Sequence, residues 1–135
     1  MLESDMRGQL VKLLKPLGAF AVENGGAHPG TPDIALVPGW IECKATNNWP
    51  AREDTVVRLD HDLTNNQRIW LIKWSKAGGK AWVMLNIDGD WLLFLGGTAA
   101  RHLGKSTKLQ LFGLALETWK RKPTFEELEP LLEEN

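Results

Sequence analysis

The sequence predicts an α/β chain, a mixed sheet with flanking helices in the order α-β-β-β-α-β-β. Three observations carry this reading. Leu2, Met6, Leu10, Leu13, Leu14 and Leu17 recur at helical spacing and form one apolar stripe. Two apolar runs, residues 81–87 and 91–95, flank Asp88-Gly89-Asp90, and Asp-Gly between such runs is the strongest local hairpin signal. A second tight turn, Val37-Pro38-Gly39-Trp40, joins two further strand-like runs over residues 33–44.

The elements follow in order. Residues 2–17 read as the first helix, and residues 19–23 as a strand that ends in Asn24-Gly25-Gly26. The hairpin of residues 33–44 comes next. Residues 45–62 are polar, contain Asn47-Asn48-Trp49-Pro50, and read as a long loop broken by a short strand over residues 56–59. Leu63-Thr64-Asn65-Asn66-Gln67 opens a second helix, which runs to about residue 77 and stops at Gly78-Gly79. Residues 107–120 fit a strand or a helix. Thr124 with Glu127 forms a capping box for a short last helix, which Pro130 should limit or kink. The whole chain, residues 1–135, reads as a single domain with a core over about residues 1–95 and an accessory segment over about residues 96–135.

The hairpin places chemistry on one face. With Pro38 and Gly39 as the central turn residues, and Gly39 supplying a positive φ, Leu36 faces Ile41, Ala35 faces Glu42, Ile34 faces Cys43 and Asp33 faces Lys44. Side chains alternate along a strand, so Asp33, Glu42 and Lys44 share one face while Ile34, Leu36, Ile41 and Cys43 share the other. Opposed side chains lie roughly 5 Å apart and diagonal ones about 7 to 8 Å, close enough for Asp33 and Glu42 to grip a small cation beside Lys44. A three-residue loop would break this parity and a four-residue loop would keep it.

Composition narrows the class. At 43% hydrophobic and 24% charged, the 135 residues suit an ordinary domain with one core. The first residues lack the basic and apolar regions of a secretory signal, and no apolar stretch approaches membrane-spanning length, so the expected location is cytoplasmic. Cys43 is the sole cysteine, which excludes an intrachain disulfide and a cysteine-based zinc cluster. No phosphate-cradling lysine loop, nucleophile elbow or dinucleotide fingerprint competes with the hairpin. The net charge is −1, but Glu126, Glu127, Glu129, Glu133 and Glu134 hold five of the 17 acidic residues, so the rest of the chain is basic. Arg101-His102 with Lys105 and Lys108, and Lys120-Arg121-Lys122, can meet phosphates or simply form solvated faces.

Pro-Asp, a turn, then Glu-x-Lys on the next strand, after one helix and before another that carries Gln, resembles the PD-(D/E)xK nuclease superfamily with its restriction-endonuclease-like core. Within it, the chain looks most like the small virus-type replication-repair nucleases (VRR-NUC) and the Holliday-junction resolvase-like nucleases. The resemblance implies that Asp33 and Glu42 bind Mg²⁺ or Mn²⁺ together with the backbone carbonyl of Cys43, and that Lys44 positions or activates water. It sets Gln67 where resolvase-like members carry an accessory Gln, and Glu3 where many carry an acidic residue on the first helix. It further implies an endonuclease that cleaves branched or otherwise structured DNA as a homodimer, and it allows a virus-encoded origin. A non-catalytic nucleic-acid-binding or assembly protein with the same fold is the alternative.

The residues leave some roles open. On the helical wheel Glu3 borders the buried face while Asp5 points away, yet a first-turn Glu also suits the helix dipole. Gln67 is equally the third member of a capping box with Thr64. Among the seven tryptophans, Trp70 and Trp74 lie one turn apart and suggest core or dimer packing, while Trp49 beside Arg52 is the candidate for touching DNA. His28, just before the Gly30-Thr31-Pro32 turn, is placed to approach a phosphate or the metal edge or is an incidental loop residue, and His61 and His102 have no partner at ligand spacing.

Overall fold

The computed structural model describes residues 1–22 and 28–135. Its sheet holds β1 (Phe20–Ala21), β2 (Ile34–Leu36), β3 (Gly39–Thr46), β4 (Ala81–Ile87), β5 (Asp90–Leu95) and β6 (Glu117–Trp119), which lie side by side in chain order. All neighbours are antiparallel except β3 and β4. That parallel pair needs a crossover. The polar loop and α2 (Asn65–Lys76) supply it over one face. The remaining helices are α1 (Glu3–Leu13), α3 (Gly96–His102), α4 (Lys108–Leu114) and α5 (Phe125–Glu134). The expected mixed sheet and the order α-β-β-β-α-β-β are present.

Each face of the sheet has its own apolar layer. On one side, Ile34, Ile41, Cys43, Trp82, Met84 and Leu93 pack against Met6, Leu10 and Leu14 at the N-terminus and Leu128 and Leu132 of α5. On the other, Val83, Leu85, Leu92 and Phe94 pack against Leu71 of α2, Ala99 of α3 and Leu111 of α4. β4 is buried along its whole length because helices cover both faces. No helix among the described residues is long and apolar enough to cross a membrane.

Several boundaries differ from the sequence reading. α1 stops at Leu13 because Pro16 disfavours α geometry in the residue before it, and Lys15–Leu17 closes as a 3-10 turn. Leu2, expected on the buried stripe, precedes the helix and is exposed. β1 covers only Phe20–Ala21; Glu23 and the Asn24-Gly25-Gly26 stop lie outside the described residues. The strand expected over residues 56–59 reduces to one bridge between Val56 and Thr107. Residues 107–120, which fitted a strand or a helix, hold one of each, α4 and then β6.

The helix α3 went unread because Gly96-Gly97 resembles a break. Both glycines are buried, and a Cβ on Gly96 would stand 3.0 Å from the Ala81 carbonyl oxygen and 3.0 Å from Leu71 Cδ2. Close packing of α3 onto α2 and β4 sets this requirement. Pro130 does not end α5, which continues to Glu134. Pro130 and Glu126 are both exposed, so water can satisfy the carbonyl left without a helical donor.

Candidate active site

The hairpin slips two residues from its expected register. Ile34 pairs with Ile41, Ala35 with Trp40 and Leu36 with Gly39, so Val37 and Pro38 are the central turn residues. A slip of two preserves side-chain parity along the strands, so Glu42 and Lys44 still share one face, while Asp33 is a bend residue just before β2. The ladder ends at Ile34 and Ile41, and Asp33, just before it, lies close enough to Glu42 to raise the pKa of that carboxyl. Gly39 has no positive φ, contrary to expectation. Its lack of a side chain matters for another reason: a Cβ there would meet the Lys80 carbonyl oxygen at 2.2 Å, where β3 closes onto the start of β4.

β3 outruns β2. Beyond Ile41 it continues to Thr46, leaving backbone groups on one edge that β2 no longer reaches. Two carboxylates take them up. Asp33 Oδ2 accepts from the Cys43 N–H at 3.0 Å, and Glu3 Oε1 accepts from the Ala45 N–H at 3.3 Å. The N–H and C=O of one strand residue point to the same edge, so the Cys43 carbonyl opens between these two carboxylates. Its thiol is buried on the opposite apolar face, where burial pushes its pKa well up.

Glu42 and Lys44 stand on the α2 face and are only 2% and 5% exposed. Lys44 Nζ lies 3.7 Å from Glu42 Oε2, and Gln67 Nε2 donates to the same oxygen at 3.1 Å. Glu42 Oε1 is buried with no hydrogen-bond partner. Burial first, then repulsion from Asp33, raises the Glu42 pKa to about 9, against the lowering influence of Lys44. The site therefore holds a proton near neutral pH that an added cation would displace.

Gln67 is at once a cap and a site residue. Its Oε1 accepts from the Thr64 N–H at 2.9 Å and its own N–H donates to Thr64 Oγ1 at 3.1 Å, while its Nε2 reaches Glu42. The two readings left open by the sequence are therefore compatible in a single rotamer. Gly30-Thr31-Pro32-Asp33 leans on the same helical turn. Gly30 has φ +87°, and a Cβ on it would meet the Asn66 carbonyl oxygen at 2.2 Å, so only glycine brings Asp33 in this closely. The contact of Gly30 with Asn66 was not legible in the sequence, whereas the Thr64-Gln67 capping box was.

The arrangement suits a hard divalent ion. Among the described residues no group of three His, Cys, Asp or Glu side chains could form a closed metal cage. Mg²⁺ is nevertheless commonly held by one or two carboxylates, with water and phosphate oxygens completing its shell. Glu42 Oε1, buried and unpartnered beside Asp33, is a ligand atom with its acceptor capacity unused. Asp33, Glu42 and the Cys43 carbonyl are the groups that would hold such an ion, with Glu3 on the same strand edge.

The expected DNA contacts lie elsewhere. The Trp49 indole donates to Asp90 Oδ2 at 2.8 Å and packs 5.7 Å from Phe112, with Lys108 Nζ 4.8 Å above its ring. Arg52 and Lys120 line a cleft of about 780 Å³ beside α4, and Arg52 faces Asp54 at 3.5 Å. Arg121 is bound to Glu127 at 2.7 and 3.1 Å and holds that carboxyl down to about 2; Lys122 is exposed. Trp70 and Trp74 stack at 4.8 Å with Trp40 edge-on to both, a packing cluster on α2.

Neither a protein-family model nor a curated protein sequence matches the chain. Among solved structures, it is similar to Archaeoglobus fulgidus Hjc, a Holliday junction resolvase from an archaeal hyperthermophile, with TM-score 0.48 and 20% identity over 83% of this chain and 92% of that one. At this distance the likeness carries no argument about chemistry.

Proposed function

We propose that the chain is a divalent-metal-dependent endodeoxyribonuclease that hydrolyses phosphodiester bonds in branched or structured DNA and acts as a homodimer. One observation carries the catalytic part of this reading: Asp33 and Glu42 converge at the free edge of β3 with Glu42 Oε1 buried and unpartnered, and Lys44 stands 3.7 Å from the other oxygen of Glu42. Branch preference and dimerisation rest on the resemblance of the motif alone.

When bound, Mg²⁺ or Mn²⁺ supplies charge neutralisation at the phosphoryl oxygens and lowers the pKa of a nearby water. The chain provides the rest. Asp33 and Glu42 would hold the ion together with the Cys43 carbonyl, with Glu42 in its deprotonated form. Lys44, buried and fixed beside Glu42, donates hydrogen bonds to the attacking water or to charge that develops in the transition state. Gln67 keeps Glu42 in one orientation.

The test is a Mg²⁺ or Mn²⁺ titration against a four-way junction, a flap, nicked duplex and single-stranded DNA. Metal-dependent cleavage that disappears in Asp33→Ala is expected. Silence on all substrates, or equal cleavage by Asp33→Ala, refutes the enzyme reading.

A further inference from the structure

The capping boxes of this molecule can be compared with one another. α2, α4 and α5 are each preceded by a capping threonine, and in each the side chain of the third helical residue, Gln67, Gln110 or Glu127, accepts from the threonine N–H. Gln110 is exposed, and Glu127 turns to Arg121. In α2 alone of these three, the returning side chain also binds a buried carboxylate, Glu42.

The direction of that amide is set by Thr64. A backbone N–H can only donate, so it selects the oxygen end of Gln67, Oε1, at 2.9 Å. The nitrogen end is thereby turned toward Glu42 Oε2, at 3.1 Å. Lys44 approaches the same oxygen. Both donors therefore fall on Oε2, and Oε1 is left bare. A flipped amide would set two donors against each other at Thr64 and, once Glu42 is ionised, would present an acceptor to that buried carboxylate.

We infer that Thr64 is a positioning residue whose backbone N–H fixes the orientation of the Gln67 amide and so reserves Glu42 Oε1 for the cation. The inference rests on the reading of Asp33 and Glu42 as a cation site. It makes the first turn of α2 a common reference for both carboxylates, since Gly30, three residues before Asp33, is seated against Asn66 of the same turn.

Proline separates this role from ordinary capping. Thr64 has φ −73°, which a proline ring adopts without strain, so Thr64→Pro removes the N–H together with the hydroxyl, whereas Thr64→Ala removes the hydroxyl and methyl but keeps the N–H. Two readouts are taken on each variant: Mn²⁺ affinity by titration calorimetry without DNA, and hydrogen exchange of the Gln67 side-chain amide by NMR. Both variants should melt a few degrees lower, the usual effect of losing a cap. Thr64→Pro should in addition lose about ten- to hundred-fold in Mn²⁺ affinity and its Gln67 amide should exchange faster, as for removal of a residue behind a metal ligand. Thr64→Ser should behave as the native chain.

Equal Mn²⁺ affinity and equal amide exchange in the alanine and proline variants overturn the role of Thr64. Should the proline variant fail to fold, Gln67→Asn, whose shorter amide cannot span Thr64 and Glu42 together, must show the same loss of affinity; unchanged affinity there overturns the inference as well. Failure of the native chain to bind Mn²⁺ refutes the cation reading itself. That result is distinct from equal amide exchange, which needs no metal.

Discussion

Replacing Glu42 by Gln should make the metal-free protein more stable, and by an amount that depends on pH. In the native fold the Glu42 carboxyl titrates at about 9 because it is buried and faces Asp33; in the unfolded chain it titrates near its ordinary 4.5. The folded state thus binds more protons across this interval, and stability falls as pH rises from about 4.5 toward 9. Linkage gives a loss of about 4 kcal/mol between pH 5 and pH 8, an upper bound because water entry and local relaxation reduce the shift. Glutamine has no proton to lose and can keep the hydrogen bond from Gln67. Urea unfolding at pH 5, 6.5 and 8 provides the assay. The gap between Glu42→Gln and the native chain should widen with pH, and half the bound already moves the midpoint by about 1 M urea for a domain of this size. Saturating Mn²⁺ should narrow the gap at pH 8, since a ligand at about 100 times its Kd stabilises its own protein by about 2.7 kcal/mol and the variant has lost the site. A gap that is constant with pH, or that Mn²⁺ leaves untouched, would refute the account of Glu42 as a buried, cation-ready carboxyl.

Two further substitutions probe neighbouring parts. Lys44→Met should lower turnover about 10²- to 10³-fold, as loss of a pre-organised donor does, while Mn²⁺ affinity by calorimetry falls far less; equal losses in both would make Lys44 a structural counter-ion to Glu42. Gly30→Ala must place a methyl group 2.2 Å from the Asn66 carbonyl oxygen at φ +87°, so the turn must move. It should cost about 2–4 kcal/mol in urea unfolding and weaken Mn²⁺ binding through Asp33, and a variant with native stability and affinity would show that the turn does not set the site.

The regular part of the fold was legible in the sequence because its signals are local. Asp88 at φ 49° and Gly89 at φ 84° form the mirror-image turn that Asp-Gly encodes, and Thr64 caps α2 where the pattern placed it. The shared face of Glu42 and Lys44 was equally legible, since parity along one strand survives a two-residue slip. Register was not. Pro38-Gly39 is the local turn signal, yet Gly39 opens β3 packed against Lys80, which lies 41 residues later in the chain and whose carbonyl excludes any side chain at that position. The same holds for α3: Gly96-Gly97 reads as a stop until Ala81 and Leu71 are brought against it. In each case a glycine was ambiguous because its reason is a tertiary contact and not its own backbone angle.

The length difference between β2 and β3 ties these points together. An unpaired strand edge ordinarily leaves donors and acceptors that must be paired, covered or hydrated. Here β2 ends as the chain turns aside at Asp33, and the overhanging edge of β3 is met by side-chain carboxylates from two separate elements, Asp33 from the turn and Glu3 from α1. A neutral side chain could cap these N–H groups equally well. Carboxylates accumulate negative charge beside the already buried Glu42, and that repulsion is part of why Glu42 holds its proton. Such an edge is costly for a bare structural protein and useful to one that recruits a cation. With pairing ended at Ile34, Asp33 leaves the ladder to accept from the Cys43 N–H beside Glu42, while Lys44 stays on the α2 face, 3.7 Å from the Glu42 oxygen that Gln67 also reaches.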